Sequence, residues 1–255
     1  MKREPAIRTA RTGSVARLTL NRAAARNAIT LAMWKRIADA FRAFSKSKRI
    51  RFIIVDSAAP GIFSAGADLK EFTRLARDRR LRRRYLRTVT EALRAITKCP
   101  AQTVALVSGP CYGGGLALAA ACGMRLASSG ASFAVPAARI GLVYPLPEVA
   151  RLVALVGQKE AAKFLLTARA IGASEAARIG LVNVVLGMKR KGGVSRKRAS
   201  GKGRLSPYSL HAMKRLLALA AAGKTKDTRE TEKLFLDAFE GADFQAALQR
   251  FNGKS

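Results

Sequence analysis

A chain of 255 residues with 49% hydrophobic content and a mean hydropathy of +0.03 has enough apolar material for a sizeable core, which excludes a disordered chain. No apolar run approaches the roughly 18 to 20 residues needed to span a bilayer, and Cys99, Cys111, Cys122 and the lone His211 lack the spacing of a disulfide framework or zinc site. The charge is extreme: 48 Lys plus Arg against 16 Asp plus Glu give +32, which implies a polyanionic partner such as nucleic acid, an anionic membrane surface or a phosphorylated ligand.

The first residues, Met1 to Ser14, are Arg-rich and acid-poor like a transit peptide, yet they carry no long amphipathic stretch and run directly into a strand pattern ending at Val15–Leu20. From Thr30, a fitting N-cap, Leu31, Trp34, Ile37, Ala38, Phe41 and Phe44 recur at helical steps. Phe52-Ile53-Ile54-Val55 reads as a short strand buried on both faces, and a loop with Pro60, Gly61 and Gly66 follows. Residues 69–98 read as helical and very basic, and Thr103–Val107 as another buried strand. The loop Gly109–Gly115 opens an apolar helix over 116–122, and Ser132–Val135 is again strand-like. Helices are expected over 148–156, 159–166 and 174–179, and the same pattern returns from Ser206 with Leu210, Met213, Leu216, Leu217, Leu234 and Phe235. Between them, 187–204 holds eight Lys or Arg and no acid, the composition of a loop.

Two glycine-bearing loops, Phe63-Ser64-Ala65-Gly66-Ala67-Asp68 and Tyr112-Gly113-Gly114-Gly115, each lie between a strand and a helix. Such turns present backbone N–H groups at a helix N-terminus, where they serve either as tight packing turns or as a cradle for a phosphate or oxyanion. Neither fits the P-loop or the dinucleotide fingerprint.

Taken in order with Leu20-Asn21-Arg22, Arg26-Asn27-Ala28 and Ala177-Arg178-Ile179-Gly180-Leu181-Val182, these loops resemble the crotonase (enoyl-CoA hydratase/isomerase) superfamily along nearly the whole chain. The resemblance implies an α/β fold, a spiral of ββα units with a helical C-terminal trimerisation region, assembled as a homotrimer or a dimer of trimers. It implies an acyl-CoA thioester as ligand, with the backbone N–H groups of Ala67 and Gly114 on the thioester oxygen. Ala65, Asp68 and Leu69 fall in the loop that borders CoA, and Arg22, Arg26 and Lys70 where the family holds its nucleotide end. Phe251 and Lys254 match the C-terminal Phe-x-x-Lys that closes over CoA. No separate cofactor is expected, since coenzyme A enters with the substrate. The division expected along the chain is a core over 1–186, a basic glycine-rich linker over 187–205 and a helical region over 206–255, in a cytoplasmic protein.

The chain departs from the family where its hydratases carry two glutamates, because Ala117 and Ala137 occupy those positions. A methyl group cannot activate water or move a proton, so isomerase or decarboxylase-like chemistry is expected in place of hydration. Tyr144 and Glu148 are the candidates for proton transfer; their bland readings are a pocket wall and a first-turn acid favoured by the helix dipole. Asp68 reads as an N-cap. The rival reading starts from the charge. Residues 74–87 carry eight Arg and one Asp, and one relative of the family binds AU-rich RNA through a basic helix, so a catalytically silent homologue binding nucleic acid non-specifically is the alternative.

Overall fold

The computed structural model describes residues 4–187 and 204–253. In chain order the elements are β1 (Ile7–Thr12), β2 (Val15–Leu20), α1 (Leu31–Ser45), β3 (Phe52–Ser57), α2 (Leu69–Leu75), α3 (Arg79–Thr97) and β4 (Gln102–Val107). There follow β5 (Pro110–Tyr112), α4 (Gly114–Ala121), β6 (Met124–Ser128), β7 (Ser132–Ala134), α5 (Leu146–Thr167), β8 (Ile171–Gly172), α6 (Ala173–Arg178) and β9 (Val184–Leu186). The chain closes with α7 (Pro207–Ala221), α8 (Arg229–Ala238) and α9 (Ala242–Asn252). None of the described helices is long and apolar enough to cross a membrane.

Two compact units are built from interleaved stretches of the chain. The first takes the described parts of 1–67, 87–133 and 171–196, and the second those of 68–86, 134–170 and 197–255. The C-terminal helices thus group with two segments far upstream, because helices with one apolar face are stable only where another element covers that face.

The first unit is organised by a six-stranded sheet of order β1-β2-β3-β4-β6-β9, in which only the β1–β2 pair is antiparallel. A smaller sheet has the order β5-β7-β8. Helix α1 begins where expected, with the Thr30 hydroxyl accepting from Met33 N at 3.2 Å, and buries Met33, Trp34, Ile37, Ala38 and Phe41. Helix α4 is apolar on every side and buried from Gly115 to Ala121, as a central helix must be. The expectation of a strand buried on both faces fails at β3. Ile53 and Val55 are buried, but Phe52 is 47% exposed and Ile54 half-buried, the alternation of a sheet with one covered face. Through the register Ile54↔Val104↔Met124 and Leu126↔Val184, the partly exposed Met124, Val184 and Leu186 lie on that same open face.

The stretch 69–98, expected to be helical, forms the two helices α2 and α3. Asp78 breaks it by accepting from Arg80 N at 2.8 Å and Leu81 N at 3.0 Å, capping α3. The two helices expected around 148–166 form α5, interrupted at Gly157 with φ +77°. An aromatic cluster of Phe72, Tyr85, Phe235, Phe239 and Phe244 meets edge to face, with centroids 5.1 to 5.7 Å apart in the contacts Phe239–Phe244, Phe72–Phe239, Phe235–Phe239 and Phe72–Tyr85.

Candidate active site

The glycine loops of the first unit are held by Asn27. Fully buried and in the left-handed region at φ 52°, it donates from Nδ2 to Ser57 Oγ at 2.7 Å and to the Phe63 carbonyl at 3.0 Å. Its Oδ1 accepts from Arg22 N at 2.8 Å, so one carboxamide ties together the loop after β2, the end of β3 and the turn before α2. Ser64 continues the network: its hydroxyl donates to the Asn27 carbonyl at 2.8 Å, and its carbonyl accepts from Tyr112 N at 3.0 Å. Ile29 N donates to the Gly66 carbonyl at 2.7 Å.

This scaffold sets two backbone amides side by side. A β-carbon on Gly114 would stand 3.6 Å from Ala67 N, and one on Gly66 would stand 3.7 Å from Gly114 N and 3.1 Å from the Tyr112 carbonyl oxygen. Gly66 at φ +109° and Gly113 at φ +47° hold turns that side chains rarely adopt. Among the described residues, neither Ala67 N–H nor Gly114 N–H has an acceptor within the protein. Gly114 is the first residue of α4, where the helix leaves its early N–H groups free and adds positive potential. Two adjacent, unspent donors at a helix start can stabilise an oxygen that gains negative charge.

Other candidates from the sequence fall as follows. Arg22 is half-buried, and its guanidinium donates to the Ala28 carbonyl at 2.9 Å. Arg26 is exposed, and its carbonyl accepts from Ala65 N at 2.9 Å, so these three residues join the same loop system. In the second unit Asp68 is the N-cap expected, accepting from Lys70 N at 2.8 Å ahead of half-buried Leu69 and exposed Lys70. Phe251 is exposed on α9, while Lys254 and most of the basic 187–205 segment lie outside the described residues. Ala117 is buried in α4, and Ala137 is half-buried in a short 3-10 turn over Pro136–Ile140.

Tyr144 and Glu148 both belong to the second unit and both are buried. Glu148 sits in the first turn of α5 at 4% exposure, and neither carboxyl oxygen has a hydrogen-bond partner. Burial pushes its pKa up to about 7; nearby Arg151 opposes that rise and Asp227 adds to it. Asp227, itself raised chiefly by burial, accepts from Thr231 Oγ1 at 2.9 Å.

The basic run 74–87 is less free than its composition suggests. Arg82 is buried and donates to the carbonyls of Leu75 at 2.6 Å, Ala76 at 2.8 Å and Leu236 at 2.9 Å, while also pairing with Glu240. It satisfies the C-terminal carbonyls of α2 and α8 at once. Arg79 pairs with Asp237 at 2.8 Å and Arg83 with Glu232 at 2.7 Å. Tyr85, the aromatic of the run, is buried in the phenylalanine cluster.

Sequence reasoning missed the central parts played by Asn27 and Arg82. An Asn next to Arg26, where a loop turns sharply between strand and helix, is the signal that could have marked the first; nothing in an arginine run marks which member is buried.

A mixed α/β protein with a mostly parallel sheet and two neighbouring amides, neither with an acceptor among the described residues, near the head of an apolar helix is thus defined from the residues alone. Residues 10–255 match the model of the family described as Enoyl-CoA hydratase/isomerase, and the chain belongs to that family, within the crotonase superfamily. Mouse (Mus musculus) mitochondrial methylglutaconyl-CoA hydratase is 31% identical over 182 residues, 71% of this chain and 57% of the mouse protein. The chain therefore spans little more than half the length of such curated relatives. A crystal structure of an enoyl-CoA hydratase/carnithine racemase from Magnetospirillum magneticum has a TM-score of 0.69 at 28% identity, covering 99% of this chain and 94% of that one. An enoyl-CoA hydratase from Bacillus halodurans, at 22% identity, shares the fold with a TM-score of 0.76, covering 96% of this chain and all of that one.

Proposed function

We infer that the protein binds an acyl-CoA thioester and stabilises an enolate of its acyl group, with the Ala67 and Gly114 amides as oxyanion donors. The observation that carries this reading is that the two N–H groups are neighbours and neither is spent on an acceptor within the protein among the described residues. When the carbon next to the thioester loses a proton, or loses its carboxylate as carbon dioxide, the electron pair left behind delocalises onto the thioester oxygen. Donors already in place lower that barrier, and loss of one such donor costs about 10²–10³ in rate.

The mouse relative is named a hydratase, but hydration is not carried over to this chain. With Ala117 and Ala137 at the positions of the hydratase glutamates, no carboxylate is available there to activate water. Proton transfer is assigned instead to Glu148 and Tyr144. A carboxyl whose pKa is about 7 can both take and return a proton near neutrality, and its oxygens have no competing partner. The reaction class is then an isomerisation or decarboxylation of an acyl-CoA. Arg22, Arg26, Lys70, Phe251 and Lys254 are assigned to CoA, and α7–α9 to a trimeric assembly.

The test is a panel of enoyl-, branched- and carboxyacyl-CoAs, with product mass recorded for the wild type and for Glu148→Gln and Tyr144→Phe. The expected result is turnover at unchanged mass or with loss of carbon dioxide, sharply reduced in at least one variant. A product heavier by one water, or wild-type rates in both variants, overturns the assignment. The rival polyanion-binding reading is weakened by the ion pairs of Arg79, Arg82 and Arg83 and by the burial of Tyr85, which leave less of the 74–87 run for phosphates or bases.

A further inference from the structure

The second unit contains a cleft of about 730 Å³ lined by Arg139, Arg204, Ser206, Asp243, Gln249 and Arg250, none of them assigned to acyl-CoA above. Its charge is unbalanced. Three guanidiniums face one carboxylate, and among the described residues no ion pair involves any of the three arginines. A basic protein has many exposed arginines, but convergence of three around one concavity focuses the field and favours an anion far more than a convex surface would.

The walls are fixed rather than adventitious. Arg139 is anchored through Nε to the Ala168 carbonyl at 3.0 Å and through one terminal nitrogen to the Thr167 carbonyl at 3.4 Å, which leaves its other terminal nitrogen for a ligand. Ser206 N donates to the Ala138 carbonyl at 2.8 Å, tying the approach to α7 onto the 3-10 turn that carries Arg139. The end of that turn, Gly141 at φ +74°, approaches the start of α9 so closely that a β-carbon there would stand 2.5 Å from Phe244 N. Arg250 and Gln249, on α9, line the same cleft as Arg139.

We propose that this cleft binds a small phosphorylated molecule, of about nucleotide size, through Arg139, Arg204 and Arg250. The volume lies in the roughly 300–1,000 Å³ range of small-ligand sites, well beyond what a lone phosphate fills. Guanidiniums provide the two-pronged donors that phosphate oxygens match. Gln249 and Asp243 supply an amide and an acceptor for the uncharged part of the molecule, which a bare electrostatic patch would lack.

The experiment is calorimetric titration of the full chain with inorganic pyrophosphate, alone and in the presence of a saturating non-hydrolysable acyl-CoA analogue. The variants are Arg139→Gln, Arg204→Gln and Arg250→Gln, with Arg51→Gln as a charge-matched control on the first unit. Pyrophosphate affinity is expected to fall at least about ten-fold in each pocket variant and to stay unchanged in Arg51→Gln and with the analogue bound. Because Arg139 also supports the end of α5, Arg204→Gln and Arg250→Gln decide the matter if Arg139→Gln proves unstable. Equal loss in the control reduces the effect to net charge and overturns the proposal. Displacement by the analogue makes the cleft part of the acyl-CoA site and also overturns it, as does binding of a short RNA oligonucleotide that the pocket variants weaken while pyrophosphate fails to bind.

Discussion

Gly115 lies against Ser64 so closely that a β-carbon on it would stand 2.6 Å from the Ser64 Cβ and 2.9 Å from its hydroxyl oxygen. Both residues are buried, and each belongs to one of the two loops that carry the free amides. Gly115→Ala must push those loops apart. The expected cost is about 1–3 kcal/mol, read as a lower midpoint in urea, together with a larger fall in acyl-CoA turnover than the stability loss explains.

Asn27→Ala removes both donors and the acceptor of the buried carboxamide, stranding Arg22 N–H and the Phe63 carbonyl, and places alanine at φ 52°. A loss of about 2–4 kcal/mol is expected. Chemical denaturation gives the magnitude, and Asn27→Asp, which keeps the acceptor alone, should fall between the two.

Glu148 gives the protein a pH signature. Its carboxyl titrates at about 7 when folded, against an ordinary value of 4.5, so the folded state holds the proton more tightly than the unfolded chain. Its contribution is complete below pH 4.5 and is lost as pH rises through about 7, a change of about 3 kcal/mol. Glu148→Gln, neutral at every pH, should therefore gain stability over the wild type at pH 8 and little or none at pH 5. Thermal melts of both proteins across that interval test the sign.

Arginines of one run should differ widely in value. Arg82→Met leaves three carbonyls without their donor and is expected to cost about 2–4 kcal/mol. Arg80→Met, two residues away and exposed, should change stability by about 0.5 kcal/mol or less. The difference in urea midpoint between the two variants is the readout.

Much of the architecture was legible before any coordinates. The period of α1, its Thr30 cap, the uniformly apolar α4 and the two glycine loops are local signals, and each reports a choice made within a few residues. Family membership was legible for the same reason, since its motifs are short and ordered. What was not legible depends on distant residues meeting. Phe52-Ile53-Ile54-Val55 looks identical whether one face of β3 is covered or both. The break at Asp78 hid inside a helical, arginine-rich pattern because aspartate is also tolerated on helix surfaces. Arg82 and Asn27 owe their roles to partners as far as 158 and 37 residues away. The neighbouring amides followed from the loops only through resemblance; their proximity needed the network around Ser64 and Gly115.

The open side of the large sheet bears on handling the molecule. Phe52, Met124, Val184 and Leu186, each between 42% and 48% exposed, form a greasy stripe on a polypeptide carrying +32 charges. In dilute buffer mutual repulsion holds such surfaces apart, and raising ionic strength shortens its reach to a few ångströms. Concentrated salt should then drive self-association of this protein, where for many basic proteins it prevents clumping.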